Sequence, residues 1–570
     1  MNASISELLE EHFDTAFAAP DGIKKLRDLI LSLALQGKLV EQNPNDPPAS
    51  ELLKEIESER KKLVKAGKIK KAKPLPKVQE SDILYDLPDS WTWTRLGNIG
   101  NIFNGNSINA REKQSKYAGV SGLPYIATKD VGYGFEPLDY KNGINIPESE
   151  PKFKVAHKGA VLICSEGGSA GKKCGITEED ICFGNKLYAN ESFGGITSRF
   201  ILYLYLSPVF RDSFSAAMTG IIGGVSMAKF LALPIPLPPL KEQHRIVTKI
   251  DKLMARCDEL ERLRKEREEK RLAVHAAAIK QLLDAPDGSA WDFIQKNFGE
   301  LYTVKENIYK LRKAILQLAV MGRLAEQNPN DPPASELLKQ ITAEKQRLIK
   351  EKKIKKAKTL PPFKQGEVPY QLPKGWAWTR LGELLVFGPK NGYSPASVNY
   401  ETPVCSLTLS ATTSGTFKGE YSKYIDEQIE SDSHLWLKRG DILVQRGNTI
   451  EYVGVSAVYH GEDNTYIYPD LMMKLRVASS LSVEYAHIMM SADYSRNFMR
   501  AHASGTSGTM PKINQAVVNN VPFALPPLSE QFRIVAKVEH LLTLCDSLEQ
   551  QIDATTDKQT ELLNAVMAQV

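Results

Sequence analysis

The stretch EQNPNDPPASELLK occupies Glu41–Lys54 of this 570-residue chain and recurs, letter for letter, at Glu326–Lys339. It belongs to a longer block, Lys24–Gly97, that returns without a gap 285 positions later as Tyr309–Gly382. A repeat of this length indicates a repeated structural unit, because similar segments fold into similar elements. The sequence therefore predicts two copies of one plan.

A second repeat follows each copy of the block. LPPLKEQHRIVTKIDKLMARCDELE at Leu237–Glu261 corresponds to LPPLSEQFRIVAKVEHLLTLCDSLE at Leu525–Glu549, now 288 positions apart. The intervening segments, roughly residues 98–230 and 383–518, differ almost completely. We call the repeated segments the frame and the divergent segments the inserts. A constant frame with two unlike inserts is typical of a molecule that recognises two different targets at a fixed separation.

Composition places the chain among soluble globular proteins of several domains. It is 42% hydrophobic and 25% charged, and its length allows more than one core. The N-terminal MNASISELLEEHFD is acidic and lacks the apolar core of a signal peptide. No apolar stretch approaches the ~20 residues that span a bilayer. Six cysteines without a CxxC pair indicate free thiols, so we expect a cytoplasmic protein with no membrane partner.

Lysine is concentrated in two runs of the frame. Lys54–Lys77 is strongly basic, and Lys345–Lys358 repeats the enrichment in the second copy. Short basic runs suit contacts with phosphate groups. A solvated helix end that continues into a linker explains each run equally well.

A long helix is predicted after each LPPLxEQ motif. Apolar residues there recur in steps of four and three, which predicts a stripe buried against a partner helix. The predicted seam consists of Ile246, Ile250, Leu253, Cys257 and Leu260 in the first copy and of Ile534, Val538, Leu541, Cys545 and Leu548 in the second. The proline-rich LPIPLPPL and VPFALPPL that precede these helices cannot be helical and mark the end of each insert.

The first block of the frame is predicted to be helical, then broken, then extended. Leu26, Ile30 and Leu33 have helical spacing, and NPNDPP interrupts the pattern before a second helix. The motif W-x-W-T-R-L-G then begins a strand at Trp91 and at Trp376. We interpret its tryptophans as core residues rather than as platforms for stacking bases.

The two inserts are predicted to share a fold in spite of their unlike sequences. Ala160–Cys164 and Asp441–Val444 are strand-like, each follows a glycine, and each continues into a polar loop, SEGGSAGKK or QRGNTIEY. Each insert is interpreted as a small α+β domain on a curved sheet.

Two motifs resemble catalytic signatures but lack essential residues. D-P-P at Asp46 and at Asp331 is followed by alanine instead of the aromatic residue with which amino-methyltransferases hold a flipped adenine. EGGSAGKK lacks the first glycine and the final Ser or Thr of a phosphate-binding loop. We interpret the first as a helix-breaking turn and the second as a hairpin loop that presents lysines. No catalytic constellation or metal site is predicted.

The paired LPPLxEQ motifs, the paired W-x-W-T-R-L-G motifs and the two unlike inserts resemble, over essentially the whole chain, the specificity subunit of type I restriction–modification systems. The resemblance implies an α+β fold: two α/β target recognition domains separated by long antiparallel coiled-coil-like conserved helices, in a pseudo-twofold internal repeat. It implies conserved regions at 1–97, 237–382 and 525–570 and recognition domains at 98–236 and 383–524.

The same resemblance implies a non-catalytic role with several partners. Each recognition domain would recognise one half of a bipartite, asymmetric site in double-stranded DNA, with the halves about one turn, ~34 Å, apart. Two methyltransferase subunits would dock on the conserved helices and flip an adenine in each half, and restriction subunits would complete the complex. S-adenosylmethionine, ATP and Mg²⁺ would be bound by these partners, and no cofactor by this chain.

Candidate base contacts are chosen on chemistry alone, from polar residues in loops that flank the strands. They are Lys129, Ser165, Glu166, Lys172 and Lys186 in the first insert and Lys390, Asn391, Arg446, Asn448 and Lys512 in the second. For each residue an ordinary surface role is the competing interpretation. For the whole chain, the alternatives are a fused methyltransferase, whose motifs are missing, and a free-standing bivalent scaffold that binds DNA or protein.

Overall fold

The computed structural model describes residues 17–133, 135–220, 223–284, 288–356, 359–364, 366–505 and 510–568. These residues form two compact units. Unit 1 comprises residues 1–267 and 555–570, and unit 2 comprises residues 268–554. Each unit contains one copy of the frame and one insert, so the sequence repeat is a repeat of whole structural units.

The frame of unit 1 begins with two helices, α1 (Gly22–Leu35) and α2 (Ala49–Lys65). The residue before α2, Pro48, has φ −64° and ψ 155°, an extended conformation that cannot continue a helix backwards. Glu51 in the first turn and Lys65 in the last complement the helix dipole. The predicted helix-breaking turn is therefore confirmed.

The insert of unit 1 is a three-layered domain with two sheets. One sheet has the strand order β2-β9-β6-β7 and the other β4-β3-β8-β5. These strands are β2 (Gly100–Asn104), β3 (Leu123–Ile126), β4 (Asn145–Ile146), β5 (Val155–Ala156), β6 (Val161–Cys164), β7 (Cys174–Ile176), β8 (Ile181–Phe183) and β9 (Leu187–Ser192). The α+β class is confirmed, but the domain has two sheets where the sequence predicted one curved sheet.

Strand β6 explains the layering. Its four residues are all buried, and successive side chains of a strand point to opposite faces. Val161 and Ile163 belong to the core shared with the helices, whereas Leu162 and Cys164 belong to the core shared with the second sheet. A strand covered on both faces has a continuous apolar sequence, so the sequence could not show that a second sheet covers it.

Three short helices and one strand close the insert of unit 1. They are α3 (Ser198–Leu206), α4 (Pro208–Ala217), α5 (Met227–Leu231) and β10 (Pro234–Leu237), and the long helix α6 (Leu240–Asp284) follows. Strand β10 pairs antiparallel with β1 (Thr92–Arg95), with Thr92 opposite Leu237. The W-x-W motif and the proline-rich exit thus form a two-stranded sheet at the base of the insert. Both strands of this sheet have a free edge, and a strand with a free edge tolerates prolines.

Unit 2 repeats this plan. Two short helices, α7 (Ser289–Lys296) and α8 (Phe298–Leu301), precede its frame, which contains α9 (Lys305–Val320) and α10 (Ala334–Lys350). Strand β11 (Ala377–Arg380) pairs with β19 (Pro522–Leu525). The remaining strands are β12 (Leu385–Asn391), β13 (Val404–Leu407), β14 (Ser422–Ile425), β15 (Ile442–Gln445), β16 (Ser456–Val458), β17 (Tyr466–Ile467) and β18 (Met472–Val477). The helices are α11 (Val483–Ser491), α12 (Asp493–Ala501), α13 (Gln515–Asn519) and α14 (Leu528–Ala568). The sheets have the orders β12-β18-β15-β16 and β14-β13-β17.

The stripe of α6 is buried only in part. Ile246, Ile250 and Cys257 are at most 2% exposed, but Leu260 is 46% exposed, and its predicted burial is wrong. Leu253 is only partly buried, and the next residue, Met254, is buried instead. In α14 of unit 2, three seam residues are buried and two are partly buried: Ile534, Val538 and Cys545, then Leu541 and Leu548.

Within each unit, the short first helix of the frame is a partner of the long helix. In unit 1, Arg27 of α1 pairs with Asp258 and Glu261 of α6 at 2.7 and 2.8 Å. In unit 2, Arg312 of α9 pairs with Asp546 and Glu549 of α14 at 2.6 and 3.2 Å. These exposed carboxylates hold the register of the helices more than they add stability, since surface ion pairs contribute ~0–1 kcal/mol.

The LPPLxEQ motif is the hub of a buried network in unit 1. The indole of Trp91 donates from Nε1 to Glu242 Oε2 at 2.9 Å, and Gln42 donates to the other oxygen of the same carboxylate. Burial raises the pKa of Glu242. Asp46 of D-P-P is 7% exposed and pairs with Arg245 at 2.7 Å, so the motif is structural.

Unit 2 contains the same network residue for residue. Trp376 donates to Glu530 at 2.9 Å, Gln327 donates to the same carboxylate, and Arg533 pairs with Asp331 at 2.6 Å. The repeated letters of the two frame segments are therefore the residues that join them. The tight conservation between copies follows from burial, because an unpaired buried carboxylate is costly.

Candidate nucleic-acid interface

In each unit, one edge of the larger sheet gathers the ends of four strands, and we call it the loop edge. In unit 1, Asn104 at the end of β2 lies opposite Tyr188, and Cys164 at the end of β6 lies opposite Leu187. The hairpin loop of residues 165–173 crosses this edge between β6 and β7. In unit 2 the ends of β12, β15 and β18 meet in the same way, and residues 446–455 form the corresponding loop.

Three of the predicted residues of the first insert lie together at the loop edge. The Ser165 amide and hydroxyl both donate to the carbonyl of Lys186, at 2.9 and 3.0 Å. The Lys186 ammonium lies 3.0 Å from the Glu166 carboxylate. Ser165 is only 4% exposed, so its hydroxyl serves the loop itself, whereas about half of the Glu166 and Lys186 side chains is exposed to solvent.

The other two predicted residues of the first insert border the same loop. Lys172 is exposed within the hairpin. Lys129 is exposed in the turn after β3, 4.0 Å from Asp130. The neighbouring Lys173 ties this turn to the hairpin, because its ammonium donates to Thr128 O at 3.2 Å and lies 4.9 Å from the ring centroid of Tyr133. The predicted hairpin loop is present, but it presents one free lysine rather than two.

In the second insert, three predicted residues meet on the equivalent hairpin. Arg446 pairs with Asp470 at 3.2 Å, and Asn448 donates from Nδ2 to Gln445 Oε1 at 2.9 Å. Lys512 pairs with Gly447 in an isolated β-bridge. Only 20% of the Arg446 side chain is exposed.

Lys390 and Asn391 lie at the end of β12, on the same loop edge. They are opposite Lys474 and Met473 of β18. The chain just beyond them is joined to the partner of Arg446, because the Asp470 amide donates to Ser394 Oγ at 2.9 Å. The structure thus brings all ten candidate residues to the two loop edges, five to each, and their contacts with bases remain a prediction.

Each loop edge also contains a second loop, and Lys512 is the one residue of these loops that the sequence predicted. In unit 1, Gly224 forms β-bridges with both Glu166 and Thr219. In unit 2, Lys512 forms bridges with both Gly447 and Ser504. Both second loops are glycine-rich and end shortly before a short helix, and this shared position is the signal that could have identified them.

The two loop edges share backbone contacts and carry ion pairs of opposite polarity. In unit 1 the hairpin supplies the acid, Glu166, and the turn before β9 supplies the base, Lys186. In unit 2 the hairpin supplies the base, Arg446, and the turn before β18 supplies the acid, Asp470. The charged positions are shifted by one residue, because the bridges of the second loops place Glu166 where unit 2 has Gly447. The two loop edges therefore present different groups, which suits recognition of different base edges.

Two arginines of α12 bind the backbone of the unit 2 hairpin. Arg496 and Arg500 each donate from Nη2 to the carbonyl of Glu451 at 2.8 Å. Burial lowers the pKa of Arg496 to about 10. Both hairpins also have an apolar contact, of Gly171 with the ring of Phe214 in unit 1 and of Gly454 with Met499 in unit 2. The arginine contacts are therefore an addition in unit 2.

Neither a metal centre nor a membrane segment is found within the described ranges. No group of three histidine, cysteine or acidic side chains there could hold a metal ion. No helix in those ranges is long and apolar enough to cross a membrane. The six cysteines are free thiols, five of them buried.

Comparison with known proteins identifies the family. Residues 88–269 and 373–555 match the family described as Type I restriction modification DNA specificity domain. The type I restriction enzyme EcoAI specificity subunit of Escherichia coli is 36% identical over 95% of this chain and 92% of its own. The EcoEI specificity subunit of the same species is 32% identical over 96% of this chain and 93% of its own. The chain belongs to the family of type I restriction–modification specificity subunits.

A comparison with solved structures also gave a match over most of the chain. The crystal structure of the HsdS subunit from Thermoanaerobacter tengcongensis is 18% identical in sequence, covers 86% of this chain and 98% of its own, and gives a TM-score of 0.42.

Proposed function

We propose that this chain is the DNA-recognition subunit of a type I restriction–modification complex and that each unit recognises one half of a bipartite, asymmetric site. The observation that carries the proposal is the pair of loop edges, which share backbone contacts and carry ion pairs of opposite polarity. A repeated frame explains the common geometry. Different side chains on it explain why the two halves of the site differ.

Recognition proceeds from the major groove. Lysine and arginine bind guanine edges, asparagine binds adenine, and glutamate accepts from cytosine. In unit 1 the available groups are those of Lys129, Glu166, Lys172 and Lys186. The ion pairs at both loop edges would open in the complex, so that each partner exchanges a protein contact for a base or phosphate contact.

The chain supplies specificity and a scaffold, and it performs no catalysis. Its partners are DNA, methyltransferase subunits and restriction subunits. Two methyltransferase subunits would dock per chain, one for each half-site, and the half-sites would lie about one turn, ~34 Å, apart. These partners would bind S-adenosylmethionine, ATP and Mg²⁺, and the complex would act in the cytoplasm. No observation favours a free-standing scaffold.

Single lysine variants of the assembled complex test the assignment. Lys172→Ala should relax one half of the methylated motif and Lys512→Ala the other half, in methylome sequencing of cells that carry the complex. Lys158→Ala, at the opposite end of β6, is the matched control because Lys158 is also exposed. The proposal fails if both loop variants change the same half-site, or if neither changes any base preference.

A further inference from the structure

A lysine-rich segment begins in the last turn of α2 and continues toward β1 in unit 1, and we call residues 62–77 the strap. It contains seven lysines and no acidic residue. Five of the lysines that follow α2 are exposed: Lys68, Lys70, Lys71, Lys73 and Lys77. Two nearby carboxylates are engaged elsewhere, since Glu59 accepts from the Gly194 amide and Asp82 pairs with Arg95. No ion pair within the described ranges neutralises these five lysines.

Hydrogen bonds and apolar packing hold the C-terminal end of the strap in place. The buried Arg95 donates from Nε to Pro76 O at 3.1 Å and from Nη2 to Lys77 O at 2.9 Å. The side chain of Leu75 lies against Gly97, so close that a Cβ there would be 2.9 Å from it. The C-terminal end of the strap is therefore fixed to the frame of unit 1.

Unit 2 repeats the strap at residues 347–356 and 359–362, where Glu351 pairs with Lys353 at 2.9 Å. Arg380 donates to Pro361 O at 2.8 Å, as Arg95 does to Pro76. Basic residues recur at the same offset, among them Lys355 and Lys356. Lys352 has φ 56° where unit 1 has Gly67 with φ 71°. A left-handed conformation strains any residue with a Cβ, so unit 2 carries positive charge even where the backbone favours glycine.

In unit 1 a further lysine lies at the loop edge. The ammonium of Lys154 donates to both the backbone and side-chain oxygens of Asn104, at 2.8 Å each. Asn104 is the last residue of β2, at the loop edge. Desolvation, and then repulsion from Lys70 of the strap, lower the pKa of Lys154. Lys154 therefore adds positive charge at the loop edge, near enough to the strap to be repelled by Lys70.

We propose that the strap of each unit binds the phosphate backbone of duplex DNA that flanks the half-site recognised by that unit. This inference rests on the proposed DNA-recognition function and extends it to contacts that carry no sequence information. In unit 1 five lysines of the strap are exposed and have no ion pair in the described part of the chain, and in unit 2 Lys355 and Lys356 are exposed beyond the pair of Lys353 with Glu351. Such clusters of cations suit the phosphates of a duplex better than the irregular carboxylates of a protein surface.

Salt dependence of DNA binding tests the proposal directly. K70Q/K71Q in unit 1, K355Q/K356Q in unit 2 and the combined variant are each assembled with methyltransferase subunits. Dissociation constants are measured from ~50 to ~200 mM salt on a cognate and on a scrambled duplex. Each lost phosphate contact should flatten the slope of log K against log salt by about 0.9, so each pair loses about 1.8 and the combined variant about 3.6.

Two further results are expected if the strap contacts backbone alone. Affinity for the cognate and scrambled duplexes should fall by the same factor, and the methylated motif should not change. Trimming the flanks of the duplex should weaken the wild-type complex and leave the combined variant almost unaffected. The matched control is K141Q/K158Q, which removes the same charge at exposed sites outside the strap and should keep the wild-type slope.

Three outcomes would overturn the inference. They are an unchanged salt slope in the combined variant, a loss confined to the cognate duplex, and weakened assembly with the methyltransferase subunits while the complexes that do form keep the wild-type slope. The second would assign the lysines to base recognition and the third to a protein interface. Failure of the proposed function is separate, because it would appear in the wild-type complex as equal affinity for cognate and scrambled DNA.

Discussion

The indole–carboxylate contact of the frame allows a quantitative test of what joins its two segments. Trp91→Phe removes the donor that lies 2.9 Å from Glu242 and leaves a buried carboxylate oxygen without it. A hydrogen bond to a charged group contributes ~1.5–3 kcal/mol. The substitution also removes part of a ring, which costs packing energy by itself.

Trp93→Phe is the matched control two residues away. Its indole Nε1 is buried and has no hydrogen-bond partner within the described part of the chain, and its ring packs on Tyr85 at 5.2 Å between centroids. This variant loses the same atoms but no hydrogen bond. The free energy of unfolding should therefore fall by ~1.5–3 kcal/mol more in W91F than in W93F.

Urea unfolding followed by circular dichroism measures this difference. Trp376→Phe should cost as much as Trp91→Phe, because the second copy has the same 2.9 Å contact with Glu530. Stability changes should appear as shifted midpoints at a constant m-value. Equal destabilisation by W91F and W93F would refute the view that the motif is retained for its buried hydrogen bond.

Three further predictions concern spacing, loop shape and pH. Inserting four residues after Leu260 adds about one turn, ~6 Å, and should lengthen the gap between half-sites by about one to two base pairs; an active variant with an unaltered gap in genome-wide methylation maps would remove this ruler model in favour of a passive linker. R496K/R500K should loosen base preference in one half-site only, since both arginines hold the Glu451 carbonyl; a thermal melt that falls while both half-sites keep their preference would show a purely structural role. Burial raises the pKa of Glu242. Its carboxyl therefore contributes stability that is present below about pH 4.5 and is lost as pH rises through the folded-state pKa. E242Q should lose less stability than wild type over that interval, and parallel stability–pH curves would contradict this.

The sequence predicted the helical stripes but not what covers them. Period alone identifies the apolar face of α6, and Ile246, Ile250 and Cys257 are indeed buried. The period cannot show at which residue the contact with the partner helix ends. In unit 1 the contact with α1 reaches Asp258 and Glu261 through Arg27, and Leu260 beside them is exposed.

For the candidate interface, local patterns located the loops but not the state of their side chains. The glycine and the strand that precede each hairpin are visible in sequence, and the hairpins lie where predicted. The Ser165 hydroxyl donates to the carbonyl of Lys186 within its own loop edge, and Arg446 is mostly covered where it pairs with Asp470. Such contacts join residues far apart in the chain, as does the bridge from Glu166 to Gly224, and no local pattern encodes them.

Exchange of one insert tests the central claim that the two units recognise DNA independently. Replacing residues 98–230 by the insert of another family member leaves the sheet of β1 and β10 in place, and Phe230, which is buried against Tyr188 and Phe214, travels with its own core. Methylome sequencing of cells carrying the hybrid complex should show one half-site replaced, with the other half-site and the gap unchanged. A change in the second half-site, or loss of both, would contradict independent recognition.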